Sequence, residues 1–316
     1  MAYGTCGLWT LRPGPTHAEN DIKSALIAAL TSTALLLPFA TLADTVNTRL
    51  GPIAVINGFP TKASAAILQE ESDFQRGVQS YLWGLPAVGF HGFHLSHLNT
   101  FGAKDGDVVL YVTLKDKAGM LTPNLTTIYA MSFWNLATQG PLVIVVPKGL
   151  SAGGVLDVWQ RPVTDVGQTG PDKGQGGKYL ILPQGGPDIH NSEFITLRST
   201  SNQIWIATRG LGDDPSVAEA TVRGYQLYAC DDRQRPPATK FIPVGGKDWT
   251  SEQPRDIRYW QWLHDVLEPE AVDVRDQFFM GMLLPLGFVH GPPFKPTEAQ
   301  TKILTGAAVV GDLMGA

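Results

Sequence analysis

The chain has 316 residues, 43% of them hydrophobic, and a formal net charge of −5. That composition supports a large apolar core and excludes the weakly hydrophobic, highly charged class of disordered chains. Acidic and basic side chains are interleaved, and no run of Lys and Arg marks a nucleic-acid footprint.

The first feature in chain order is the apolar stretch Ala25–Ala43. A membrane-spanning helix needs about 20 apolar residues. This stretch is broken by Thr31, Ser32, Thr33 and Pro38, which argues for a signal-peptide core instead. Lys23 precedes it, and Thr41-Leu42-Ala43 places small residues where a signal peptidase cuts. Residues 1–43 are therefore read as a signal peptide with an atypical extension, cleaved between Ala43 and Asp44. Residues 44–316 are read as one periplasmic or secreted domain without a membrane span. Cys6 falls in the removed segment, so Cys230 stands alone and is expected to be a small buried hydrophobe.

Residues 44–60 carry Gly and Pro and read as an extended lead-in. Over residues 60–100 the pattern is helical. Ala63, Ala66, Ile67, Phe74, Val78, Tyr81 and Leu82 recur at helical spacing and read as one or two helices ending near Gly84-Leu85-Pro86, and a second helical stretch is expected over Ala87–Asn99. Over residues 105–210 short runs rich in β-branched and aromatic residues take over. Strands are expected at Val108–Thr113, Thr127–Trp134, Leu142–Val146, Val155–Gln160, Tyr179–Leu182, Phe194–Leu197 and Gln203–Thr208. No long helical pattern separates them, which favours an antiparallel sheet over βαβ units. Residues 214–316 return to helical periodicity at Asp214–Cys230, Tyr259–Leu267 and Val274–Leu284. A last helix opens at Thr297, whose spacing to Gln300 fits a capping box. The expected fold is α+β, an antiparallel, jelly-roll-like β-sandwich flanked by N- and C-terminal helices.

Three segments add a family likeness. They are YLWGLPAV around Trp83, the stretch Thr122–Gly149, and the stretch Asp157–Gly185. Together with IWIATRGL near Arg209 and the C-terminal GFVHGPPFKP, they resemble the bacterial family called "domain of unknown function 1254", over most of residues 48–316. The resemblance implies a fold and no reaction. Members of that family usually carry a further β-rich domain, "domain of unknown function 1214", which this chain is expected to lack.

Several motifs invite chemical readings. Gly149-Leu150-Ser151-Ala152-Gly153 matches G-x-S-x-G, but a β-branched run follows where a nucleophile elbow needs a helix. His91, His94 and His97 stand three apart, and on a helix the third lies about 240° from the first. They read as satisfied or surface histidines, and no metal ligand is assigned. The glycines of Gly170–Gly177 read as turn geometry between two strands.

The densest polar sets carry the site expectation. Asp157, Trp159 and Arg161 would share one strand face, with Asp165, Asp172, Lys178 and Tyr179 close behind. Asn124, Thr126, Thr127 and Tyr129 form a second set, and Arg209 closes a strand beside them. Asp157, Asp165 and Tyr129 are the catalytic candidates, the carboxylates as acid or base and Tyr129 as proton donor or orienter. Asn124, Trp159, Arg161, Lys178 and Arg209 are the ligand-binding candidates. A tryptophan flanked by Asp and Arg suits a polyol, since the ring covers an apolar face and the charged groups take hydroxyls. The same residues also describe a buried ion pair under a loop. Two functions therefore compete: an exported enzyme acting on a small polar or carbohydrate-like substrate, and a non-catalytic ligand-binding or oligomeric assembly protein of the cell envelope. Trp249, Tyr259, Trp260 and Trp262 read as helix–sandwich packing or a homo-oligomer contact. The cofactor is unknown from sequence.

Overall fold

The computed structural model describes residues 43–189 and 191–315, and the signal-peptide expectation lies outside them. The chain opens with strands β1 (Asp44–Thr48), β2 (Gly51–Ile56) and β3 (Phe59–Pro60), which form a small antiparallel sheet where a plain extended lead-in was expected. Helix α1 (Lys62–Leu95) follows, capped by Thr61, whose hydroxyl accepts from the Ser64 amide. Its 34 residues span about 51 Å at 1.5 Å per residue. A π-helical turn, Ser96–Phe101, extends it.

The expected break at Gly84-Leu85-Pro86 does not occur, and one helix replaces two. Pro86 lacks the amide for its helical hydrogen bond, a defect worth about 3 kcal/mol. Packing outweighs it. Tyr81 stacks on Tyr259 at 4.0 Å, and the Tyr259 hydroxyl donates to the Tyr81 carbonyl.

The β-rich middle holds β4 (Val108–Tyr111), β5 (Ile128–Asn135), α2 (Leu136–Gln139), β6 (Leu142–Val146), β7 (Ser151–Asp157), β8 (Pro162–Gly167), β9 (Gly177–Leu182), β10 (Ile195–Arg198) and β11 (Gln203–Gly210). Helix α3 (Pro215–Arg223) ends well before Cys230. Where helix was expected to continue, β12 (Gln226–Ala229) joins a sheet. Strand β13 (Phe241–Pro243) precedes α4 (Ile257–Leu267), α5 (Gln277–Leu283) and α6 (Glu298–Gly315). The capping box forms as expected: the Gln300 amide donates to Thr297 Oγ1, and the Thr297 amide to Gln300 Oε1.

Two larger sheets result. One has six strands in the order β13-β4-β5-β11-β7-β8, the other four in the order β10-β9-β6-β12. The pairs β13–β4 and β10–β9 are parallel, so the sheets are mixed, not wholly antiparallel. Side-chain alternation sorts the six-stranded sheet's residues into two cores. Val108 and Leu110 of β4 meet Ile144 of β6 and Tyr179 of β9 in the core between the sheets. Val109 and Tyr111 face the other way, into a core shared with Tyr81 and Phe90 of α1 and Tyr259 and Trp260 of α4. These elements are thus layered as four-stranded sheet, six-stranded sheet and helices. No helix among the described residues is long and apolar enough to cross a membrane.

Candidate functional site

The expected site residues fall in five places. Asp157 ends β7 with 1% of its surface exposed. Its Oδ1 accepts from the amides of Trp159 and Arg161, both at 2.9 Å. Its Oδ2 accepts from Arg161 Nε and from Thr200 Oγ1, both at 2.7 Å. Four donors therefore hold the carboxylate, and they shape the turn 157–161. Asp165 is exposed and pairs with Gly154, three residues before Asp157. Strand alternation sends the two aspartates to opposite faces of the sheet, so the structure does not bring them together.

Tyr129, Asn124 and Arg209 do meet, at the other end of the same sheet. Asp157 lies opposite Ile204, and Tyr129 opposite Arg209, five residues along β11. At about 3.4 Å per residue that separates the two groups by roughly 17 Å. The Tyr129 hydroxyl accepts from the Asn124 amide at 2.9 Å. Its ring has the Arg209 guanidinium at 5.3 Å and the Lys117 ammonium at 5.5 Å. Lys178 stands on the four-stranded sheet, in an ion pair with Glu193.

Trp159 reaches a different setting. Its ring lies 4.6 Å from Trp83 of α1, and Trp83 stacks on Phe279 at 5.1 Å. Trp83 Nε1 donates to Asp276 Oδ1 at 3.3 Å. Trp83, Trp159, Asp276 and Glu270 line a niche of ≈ 20 Å³, room for about one water. Burial pushes the carboxyls of Asp276 and Glu270 above their ordinary range. The amides of Asn202 and Gln203 pull Glu270 back, as the nearby Arg161 does Asp276. Trp83, Glu270 and Asp276 were missed from sequence because they come from segments about 190 residues apart with no shared spacing.

A ligand-sized cavity lies on the far side of the same turn, a cleft of ≈ 720 Å³. Leu85, Gly89 and Phe93 of α1 line it, with Met120, Leu121, Gln160, residues 250–253, Arg255 and Asp312. Gln160 sits at the left-handed φ of 58°, and its Nε2 donates to the Pro86 carbonyl at 2.8 Å. That contact fixes the turn on α1. At one end, Arg255 bridges Asp312 at 2.9 Å and Glu252 at 3.1 Å. Behind Asp312, the Tyr81 hydroxyl donates to Oδ1 at 3.2 Å. Burial, then the Asp312 charge, push that phenol up. The cleft thus has apolar walls and a hydrogen-bonding end.

The remaining motifs are architectural. Ser151 is fully buried at the start of β7, and its Oγ shares a hydrogen bond of 2.9 Å with the Tyr225 hydroxyl. It lies within a strand, not on an exposed elbow. His94 Nε2 meets Asp105 at 2.6 Å and His97 Nε2 the Tyr111 hydroxyl at 2.9 Å, while His91 packs edge-on against Trp262. Asp172 accepts from the Gly167 amide at 2.8 Å and the Tyr179 hydroxyl at 2.5 Å, closing the glycine-rich turn. Cys230 is buried.

No curated protein matches the chain. Among solved structures, the VPA0106 protein from Vibrio parahaemolyticus is similar, with a TM-score of 0.57 at 13% identity. The likeness covers 77% of this chain and 58% of that one, and it concerns the fold alone. Residues 108–232, from β4 to just past β12, match the family described as "Protein of unknown function (DUF1254)". The likeness noted in the sequence is therefore borne out over residues 108–232, the part of the chain that matches the DUF1254 family.

Proposed function

We propose that this is an exported protein of the cell envelope that takes a small, hydroxylated, carbohydrate-like molecule into the cleft between α1, the turn 157–161 and the end of α6. The supporting observation is the cleft's form. Its volume of ≈ 720 Å³ falls within the few hundred to about 1,000 Å³ of small-molecule sites. Phe93 and Leu85 offer apolar surface for a ring face. Gln160, Ser251, Gln253 and Asp312 offer amide, hydroxyl and carboxylate groups for hydroxyls.

Arg255 bridges two carboxylates there, so this end carries a net negative charge. That favours neutral or cationic ligands over anions. Binding, not turnover, is the function this geometry favours, because the Asp157 carboxylate is spent on the turn and Asp165 faces away from it.

A thermal-shift screen of the protein against neutral sugars, amino sugars and organic acids tests this. A binder at 100 times its Kd adds about 2.7 kcal/mol to stability. Sugars should raise the unfolding midpoint and organic acids should not. Arg255→Ala removes an exposed side chain and should abolish the shift. If no sugar shifts the midpoint, or if the variant responds as the parent does, the reading is wrong.

A further inference from the structure

The exposed loop at the cleft's rim raises a question that the cleft alone leaves open. Leu121 lines the cleft, yet 94% of its surface faces solvent. The residues on either side of it are tied down. On the N-terminal side the Gly119 carbonyl accepts from the Ser251 amide at 2.9 Å and from Ser251 Oγ at 2.8 Å. A Cβ at Gly119 would lie 2.5 Å from Trp249, so the backbone is pressed flat against that ring.

On the C-terminal side the anchor is Lys117, only 1% exposed. Its ammonium donates to the carbonyls of Thr127 at 2.6 Å, Asn124 at 3.2 Å and Leu125 at 3.5 Å. A buried ammonium without such acceptors is costly, so these contacts hold the segment firmly. Asn124 Oδ1 accepts from the Thr126 and Thr127 amides at 2.9 and 3.0 Å, and the Asn124 amide donates to Tyr129. Two of the expected site residues, the ligand-binding candidate Asn124 and the catalytic candidate Tyr129, thus belong to this anchor.

Between the anchors, Leu121, Thr122 and Pro123 make no hydrogen bond among the described residues. A short span that is fixed at both ends and unpaired in the middle can swing without breaking any bond. Its single large apolar side chain lies at the edge of an apolar-walled cavity. Moving that side chain onto Leu85 and Phe93 takes apolar surface out of water.

We infer that Leu121–Pro123 is a strap that closes over the cleft, with Leu121 as the side chain that enters it and covers the bound molecule. Lys117 and Ser251 are the fixed points on which it turns. The strap's purpose rests on the cleft being the binding site, but its motion does not. The test therefore uses the protein without ligand.

The test is methyl NMR on the full chain with leucine methyls labelled. Leu121→Val identifies the Leu121 resonances by their loss, and at 94% exposure the substitution leaves the fold intact. Cross-relaxation between the Leu121 methyls and those of Leu85, or the Phe93 ring, is the expected result, because even a minor closed population contributes to it. A spectrum in which the Leu121 methyls show contacts only within residues 118–124 overturns the strap. It leaves the binding proposal to stand or fall on the thermal-shift screen.

Discussion

Asp157 shows how a residue chosen for its chemistry is held by its structure. Four donors reach its carboxylate, two of them backbone amides of the turn it begins. Asp157→Asn keeps the size but loses the charge, and turns one acceptor oxygen into a donor facing donors. Hydrogen bonds to charged groups contribute about 1.5–3 kcal/mol each, and urea unfolding should show a loss of at least that size. A catalytic Asp157 gives a different pattern, in which turnover vanishes and the unfolding midpoint stays.

His91 makes a second residue-scale expectation. Burial drives its imidazole down to about 4 from an ordinary 6.5, with Asp265 opposing and His94 adding to the drop. The native state therefore excludes a proton that the unfolded chain binds. Stability from this residue is complete above pH 6.5 and is lost as pH falls from there to about 4. The full slope is about 1.4 kcal/mol per pH unit. Urea unfolding from pH 7 to pH 4 should show it, and His91→Gln should remove it. His97, driven down to about 3 by burial, adds a second slope of the same sign.

At the scale of elements, α1 carries most of the architecture. It crosses α6 closely because small residues meet there. A Cβ at Gly77 would lie 2.7 Å from Ala307 Cβ, and one at Gly311 would lie 2.5 Å from Tyr81. At Gly77 the opposing atom is itself a Cβ, which cannot rotate away. Gly77→Ala should therefore cost about 1–3 kcal/mol as overpacking, despite alanine's better helix propensity. Unchanged stability in urea would mean that α1 and α6 slide apart freely.

The elements also show where the sequence was readable. Strands such as Leu142–Val146 stand out because β-branched residues in short runs have few alternatives. The break in α1 was misplaced because Pro86 is a local signal and the packing of Tyr81 on Tyr259 is not. Strand β12 is hard to read because Gln226–Ala229 is four residues long and begins only two residues after Gly224, the glycine that caps α3. Of the site, the turn Asp157–Arg161 and the grouping of Asn124 with Tyr129 were legible, since each is local. The cleft was not. Its walls come from five separate parts of the chain, and no spacing connects Phe93 with Asp312.

At the scale of the whole molecule, the family match and the folded unit have different limits. The match ends at residue 232, while α4, α5 and α6 lie beyond it. Those helices and α1 cover the face of the large sheet that carries Val109, Tyr111, Met131 and Phe133. A fragment of residues 108–232 would expose that whole apolar face, far more than the few hundred Å² that soluble monomers tolerate. It should aggregate on expression, whereas the chain with its helices stays in solution. A soluble, monomeric fragment by gel filtration would show that the helices are an accessory to the sheets and not their second wall.

The turn at Gln160 has one more consequence, in terms of which insertions the chain can absorb. Most connections on a protein surface accept an extra residue, since lengthening a loop costs little entropy. This turn has no such slack. Asp157 measures its length from inside through the amides of Trp159 and Arg161, and α1 measures it from outside through Pro86 and Trp83. One added residue would turn Trp159 and Gln160 to the wrong sides at once, emptying the niche and opening the cleft's wall. Natural length variation in this fold should therefore gather at other loops, and relatives should keep this turn at a single length even where its side chains change.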